Sequence, residues 1–312
     1  MALSEFGLIQ RYFTSQSLIN SVNRLGVGDD CALIKVSEGD ELAVTVDTMV
    51  EGVHFFSGAD PRALGRKLLA VNLSDLAAMG ATPVSATLAL TLPEVNEQWL
   101  KLFSAGFLEL AAQFSVDLIG GDTTKGPLTL TVQAMGVVPE GLALRRSKAK
   151  VGDLIFVTGT GLGDAGLGLK IEQGYFSKFA TDALNKFHRP EPRVLEGLKI
   201  RDYASSCIDL SDGIASDLMH ILDTSAVGAL LDWDSVPLSK AVKAYVEETA
   251  DWKLPLSAGE DYELCFTVSP DKLASINIEC TQVGVIEQQS GLRVQRLGEI
   301  QELGVKGFEH FS

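Results

Sequence analysis

Apolar and polar positions divide the chain into alternating strand-like and helix-like segments. Leu42 to Asp47 is an apolar run ending in a carboxylate, and Val84 to Leu92 repeats that apolar, Thr-rich character, so both are predicted strands. Between them, Asp60 and Pro61 make an N-cap and first-turn pair and Gly80 with Pro83 makes a stop, which predicts a helix over 61–79. Trp99 to Phe114 reads as a second helix, Val116 to Ile119 as a strand running into Gly120-Gly121-Asp122, and Leu128 to Val138 as another strand. Pro139 to Gly152 mixes Gly, Arg and Lys between apolar strands, which suits an exposed connection. A boundary near residue 147 then gives domains of 1–147 and 148–312. The second half opens with a strand over 153–158 and a glycine-rich turn. Helices follow near 162–173 and 214–223, and strands near 226–231 and 262–268. These element types describe an α/β protein with mixed sheets, without a residue-level repeat or a low-complexity tract.

Composition narrows the function. The 312 residues carry a net charge of −15, so a nucleic-acid backbone or an anionic membrane would meet like charge. With 46% hydrophobic residues the chain can bury a sizeable core, and its length suits two domains. Cys31, Cys207, Cys265 and Cys280 form no C-x-x-C pair, which signals neither zinc nor a disulfide framework and suits a reducing cytoplasm. Glu5 and Arg11 interrupt the first apolar stretch, and no run approaches the roughly 18 apolar residues of a membrane span, so a soluble, uncleaved chain is expected.

One motif is a decoy. Gly161, Gly163 and Gly166 form G-x-G-x-x-G after the strand at 154–158, as in a dinucleotide site. The chain then continues into the polar, Pro-containing 184–192 instead of a second parallel strand with a ribose-binding acid. A tight turn whose amides could still face a phosphate is the plainer reading. No G-x-x-x-x-G-K-[ST] occurs, so there is no P-loop.

The informative residues are aspartates at the ends of apolar segments or inside them: Asp29, Asp30, Asp47, Asp75, Asp122, Asp209 and Asp212. Such carboxylates suffer desolvation and mutual repulsion unless a cation is present. Helical spacing puts Asp75 on one stripe with Leu68, Asn72 and Met79, where it could equally pair with Arg66 or Lys67 or accept a backbone amide. In 118–124 two glycines let a backbone approach a ligand, with Asp122 and two threonines beside it; a plain Gly-Gly turn with a capping Asp is the alternative. Ile208 to Gly213 again ends an apolar run with two acids flanking Ser211, in the wrong spacing for an EF-hand. Magnesium binds through one or two carboxylates plus substrate phosphates, so single aspartates on several elements suit Mg-nucleotide better than a calcium cage. Lys125 and Arg146 are candidate phosphate contacts or solvated charges, His54 a packing residue or substrate contact, and Glu260-Asp261 an acidic rim or a seat for a cationic ring.

Six motifs taken together resemble the thiamine-monophosphate kinases. They are Gly28-Asp29-Asp30-Cys31-Ala32, the 46–55 run from Val46-Asp47 to His54-Phe55, the 72–81 run from Asn72 to Ala81, Gly120-Gly121-Asp122-Thr123-Thr124, Leu210-Ser211-Asp212-Gly213 and Gly259-Glu260-Asp261-Tyr262-Glu263. The resemblance spans nearly the whole chain. It implies the two-domain fold of the aminoimidazole-ribonucleotide synthetase superfamily, which binds ATP without a P-loop. It further implies γ-phosphoryl transfer to thiamine monophosphate, several Mg²⁺ ions, and a homodimer built through the N-terminal domains. Carried over by motif, Asp30, Thr45, Asp47, Asp75, Asp122, Asp209 and Asp212 would bind magnesium. Gly121, Asp122, Arg146 and Ser211 would contact ATP, and His54, Glu260 and Phe308 would hold thiamine phosphate. No protein base is expected, since the attacking phosphate oxygen is already ionised near neutral pH.

Two positions depart from the family pattern. Val46 stands where Ser or Thr often precedes the aspartate, and Phe308 replaces a commonly found Trp that stacks on the substrate. Two other classes compete. The superfamily's synthetases act on amide, carbamoyl or selenide groups, but the reactive N-terminal or C-terminal cysteine that the selenide and maturation enzymes would favour has no counterpart beyond Cys31. A metal-binding scaffold would bind cations without turning over nucleotide.

Overall fold

The computed structural model describes residues 5–14, 18–28, 30–175 and 179–303. Asp29 and Phe308 lie outside the described residues. The chain divides into two compact units, one of residues 1–76 and 81–141, the other of 77–80 and 142–312.

In the first unit, α1 (Glu5–Phe13) precedes a short antiparallel pair, β1 (Asn23–Leu25) and β2 (Leu33–Ile34). A four-stranded sheet follows, built from β3 (Asp40–Val50), β4 (Thr82–Leu92), β5 (Asp117–Lys125) and β6 (Thr129–Pro139), in the order β3-β6-β4-β5. Only β4 and β5 run parallel, because α2 (Pro61–Ala78) leads into β4 and α3 (Glu97–Gln113) makes the crossover to β5. Gly65 and Gly106 let the two helices touch: a Cβ at Gly106 would sit 1.9 Å from the Arg62 carbonyl oxygen, and one at Gly65 2.2 Å from that of Phe103.

Strand alternation explains where the polar residues of β3 fall. Thr45, Asp47 and Met49 lie opposite Ala134, Val132 and Leu130 of β6, all three buried, whereas Val46 and Thr48 face Gln133 and Thr131 on the other side. That second side is open, with Leu42, Val44 and Val46 exposed.

The second unit centres on a seven-stranded sheet of β7 (Leu154–Thr158), β8 (Ser206–Asp209), β9 (Gly228–Asp232), β10 (Leu264–Val268), β11 (Cys280–Glu287), β12 (Gly291–Arg296) and β13 (Glu299–Glu302), in the order β13-β12-β9-β11-β7-β10-β8. Its helices are α4 (Asp164–Glu172), α5 (Ala180–His188), α6 (Val194–Ile200), α7 (Ile214–Ser225), α8 (Lys240–Thr249) and α9 (Leu254–Ser257). Ile208, Leu210, Leu218, Ile221 and Leu231 belong to its main core.

Two segments differ from the sequence expectation. The stretch 120–125, expected as a turn after a short strand, continues as β5, because β4 offers it a parallel partner with Leu88 opposite Gly121. A Cβ at Gly121 would sit 2.0 Å from the Leu88 carbonyl oxygen, so this glycine answers to a neighbouring strand. Polar residues 184–188 belong to α5, and β7 pairs only antiparallel strands. A dinucleotide fold is thereby excluded.

Candidate active site

Three groups of the expected residues are brought together, two in the first unit and one in the second. In the first group, Thr45 donates its hydroxyl to Asp75 Oδ2, tying β3 to α2, and Asp47 lies beside the same carboxylate. Burial raises the Asp47 carboxyl to about 6, reinforced by the charge of Asp75 and a hydrogen bond with it. Asn72, one turn before Asp75, donates Nδ2 to the Leu68 carbonyl at 2.9 Å, while its buried Oδ1 accepts no hydrogen bond. An all-oxygen set with two adjoining carboxylates fits a hard divalent cation. Among the described residues no three His, Cys, Asp or Glu side chains gather into a cage, so phosphate and water would complete such an ion's shell. The Val46 side chain points away from this group, to the open face of the sheet.

The second group lines a cavity of about 760 Å³. Gly120, Gly121, Asp122 and Thr123 of β5 form one wall, and Asp30 with its neighbours after β1 forms another. Asp117, at the start of β5, fixes the chain leading to β1: its carboxylate accepts the amides of Ile19 and Asn20 at 2.7 and 2.8 Å and Asn23 Nδ2 at 2.8 Å. At the end of β3, His54 Nδ1 accepts the Val50 amide at 3.0 Å, so the neutral ring carries its proton on Nε2.

The third group joins motifs that stand far apart in sequence. Asp209 ends β8, buried, and the loop 210–213 enters α7. That loop is laced to 259–263: the Glu260 amide donates to the Ser211 carbonyl at 2.8 Å, and the Tyr262 amide to that of Leu210 at 2.9 Å. A Cβ at Gly259 would fall 2.2 Å from the Ser211 carbonyl oxygen, which demands glycine there. Glu260 and Tyr262 both take left-handed backbone, with φ of 73° and 49°. Non-glycine residues hold such conformations where surrounding contacts over-determine them, often at ligand sites.

Asp217 and Glu263, to which the sequence reading gave no role, and Asp261, read there as part of an acidic rim or a seat for a cationic ring, support this group. Asp217, in the first turn of α7, accepts the Asp212 amide at 2.9 Å. Burial raises its carboxyl to about 7, although the amide bond and the nearby Arg146 charge pull it down. Asp261 accepts the Gly163 and Ala165 amides at 2.7 and 3.3 Å, so the G-x-G-x-x-G turn spends its helix-terminal amides on a protein carboxylate. Glu263, 2% exposed, takes two bonds from Arg193, at 2.6 and 2.5 Å, and one from Thr158 at 2.7 Å. Asp217 had a visible signal, since it interrupts the apolar positions Ile214, Leu218 and Ile221 of one helix.

Comparison with known proteins places this architecture in a class. Residues 28–138 match the family described as AIR synthase related protein, N-terminal domain. The chain is 46% identical to a thiamine-monophosphate kinase of Salmonella typhimurium, over 100% of its own length and 99% of that protein. Among solved structures, the thiamine-monophosphate kinase of Stenotrophomonas maltophilia superposes with a TM-score of 0.85 at 42% identity, covering 94% of this chain and 97% of that one. AaThiL complexed with AMPPCP and TMP superposes with a TM-score of 0.79 at 30% identity, covering 99% and 97%. The chain belongs to the thiamine-monophosphate kinase family.

Proposed function

We propose that this chain transfers the γ-phosphoryl group of ATP to the phosphate of thiamine monophosphate, giving thiamine diphosphate and ADP. Full-length identity to named kinases of this substrate supports the reading over a synthetase of the wider superfamily. The observation that carries the chemistry is the set of oxygen ligands Thr45, Asp47 and Asp75, in the same unit as the cavity floored by Gly120 to Thr123.

A substrate phosphate oxygen attacks the γ-phosphorus in line, and the bond to the β–γ bridging oxygen breaks with its electron pair leaving on ADP. The phosphate monoester's second pKa of about 6 leaves the nucleophile ionised at neutral pH, so no residue need remove a proton. Gly121, Asp122, Arg146 and Ser211 hold the nucleotide. His54, with its Nε2 proton, and Glu260, fixed by the Ser211 carbonyl, hold thiamine monophosphate, together with Phe308 from outside the described residues.

Asp30, Thr45, Asp47, Asp75, Asp122, Asp209 and Asp212 are assigned to magnesium. When bound, these ions shield the repulsion between two anionic phosphates and stabilise the charge of the transferring group. The open face of β3 and β6, with Leu42, Val44 and Val46 exposed, is assigned to a homodimer. Free thiols at all four cysteines and the use of ATP support a cytoplasmic setting, and no helix among the described residues is long and apolar enough to cross a membrane.

The test is product formation by the purified chain with ATP and Mg²⁺, offered thiamine monophosphate, free thiamine or no acceptor. Thiamine diphosphate that depends on the monophosphate is the expected result. Tight nucleotide binding without that product would overturn the assignment in favour of the superfamily's synthetases.

A further inference from the structure

We propose that Asp261 and Tyr262 are positioning residues for Glu260: Asp261 fixes the main chain of the loop, and the Tyr262 hydroxyl aims the Glu260 carboxylate at the cationic ring of thiamine monophosphate. The identity of that ligand rests on the kinase reading above, and the geometry is that of the second unit alone.

The segment 260–263 carries three acids, and two of them are spent on protein donors. Asp261 takes the Gly163 and Ala165 amides at the start of α4, at 2.7 and 3.3 Å, and Glu263 takes Arg193 and Thr158. Glu260 differs, because its Oε1 accepts the hydroxyl of Tyr262 at 3.4 Å, from a side chain that is 8% exposed. A hydroxyl that donates to one carboxylate oxygen fixes the direction of the group without neutralising it, so its attraction for a cation is kept. Holding the side chain in place beforehand also removes an ordering cost from binding.

The backbone beneath is fixed at several points. The Leu210 amide donates to the Glu263 carbonyl at 2.8 Å, and the Tyr262 and Glu260 amides donate in return to the carbonyls of Leu210 and Ser211. Asp261 ties the same loop to the Gly163 turn, which itself presses on α9, since a Cβ at Gly163 would sit 2.7 Å from Pro255 Cα. These contacts hold Glu260 and Tyr262 at φ of 73° and 49°, left-handed backbone that neither residue would keep in a loose loop. The two side chains thus stay within reach of each other while Asp261, between them, is committed to α4.

The test is a double-mutant cycle on the full chain, read as the KM for thiamine monophosphate, the KM for ATP and the calorimetric Kd for thiamine monophosphate. Glu260→Ala is expected to raise the thiamine monophosphate KM about thirtyfold and Tyr262→Phe about fivefold, each with the ATP KM unmoved. The two together should be no worse than Glu260→Ala alone, because the hydroxyl acts through that carboxylate; a merely structural Tyr262 would add its own loss in either background. Asp261→Leu should raise the same KM about tenfold, and Asp261→Asn, which keeps an acceptor for the Gly163 amide, should restore most of it. Additive effects of Tyr262→Phe and Glu260→Ala, or an unchanged KM in Glu260→Ala, would overturn the proposal, and the milder Tyr262→Phe and Asp261→Asn decide it if Asp261→Leu does not fold. A wild-type chain that binds thiamine monophosphate but makes no thiamine diphosphate would overturn the kinase reading instead, and the cycle would then be read from the Kd.

Discussion

The Thr45 hydroxyl donates to the Asp75 carboxylate, joining β3 to α2 at the point where Asp47 also meets that carboxylate. Two acids this close repel each other, and the hydroxyl offsets part of that repulsion with one hydrogen bond. Asp75→Asn removes one charge and keeps the shape. It is expected to lower kcat/KM by about a hundredfold or more while raising thermal stability slightly in metal-free buffer, since the remaining Asp47 charge loses its repelling neighbour. Steady-state kinetics and a melting curve in EDTA check both signs, and a drop in both activity and metal-free stability would refute the account.

Asp217 fixes the main chain of the loop that carries Ser211 and Asp212. Its carboxylate accepts the Asp212 amide at 2.9 Å, and Asp217→Ala would leave that amide without its acceptor in a half-buried position. The expected cost is about 1–3 kcal/mol of stability. A larger KM for ATP should accompany it, with Asp217→Asn, which keeps an acceptor oxygen, recovering most of the affinity. Equal KM values in wild type and the alanine variant would show that the loop holds its shape alone.

Much of this site was legible in the sequence because a carboxylate beside apolar residues is costly wherever it is buried, and Asp47, Asp75 and Asp209 betrayed themselves that way. The helix over 61–78 and the strands flanking it were equally visible, since Asp60-Pro61 and Gly80 mark chain reversals locally. Pairing was not visible. Nothing in Gly120 to Lys125 announces a strand until Leu88 of β4 lies opposite Gly121. Asp117 and Asp261 serve amides 97–98 residues away, and no local pattern encodes a partner at that distance. The turn at Gly161 to Gly166 was rightly read as no dinucleotide site, but what occupies its amides was not visible for the same reason, because Asp261 comes from a different motif.

Arg193 and Glu263 form a bidentate pair around a carboxylate that is 2% exposed, with Thr158 as a third donor. Removing Arg193 leaves the buried Glu263 charge with only the more distant Lys186 Nζ, at 3.8 Å, as its cation, so Arg193→Met should cost about 3 kcal/mol. The pair sits immediately after Glu260 to Tyr262, so activity should fall with stability. Adding Glu263→Gln to Arg193→Met neutralises the stranded charge and should recover part of the loss. Denaturant melts of the three variants check this, and an unstable double variant no better than Arg193→Met would refute it.

Asp261 gives the chain a pH dependence with a definite sign. Burial pushes its carboxyl from the usual 3.8 up to about 8, against the two amide bonds that pull it down. The folded state therefore holds a proton that the unfolded chain releases near pH 4, and folding takes up that proton between about pH 4 and pH 8. Stability from this group is complete below the unfolded value and is lost as pH rises through the folded one, with a slope of at most about 1.4 kcal/mol per pH unit. Asp261→Asn cannot ionise, yet its side-chain oxygen can still accept the Gly163 amide. Its melting temperature should thus gain on the wild type steadily from pH 5 to pH 8 and level off above. A constant difference across that range would mean that Asp261 is ionised throughout, held as a true anion by the start of α4.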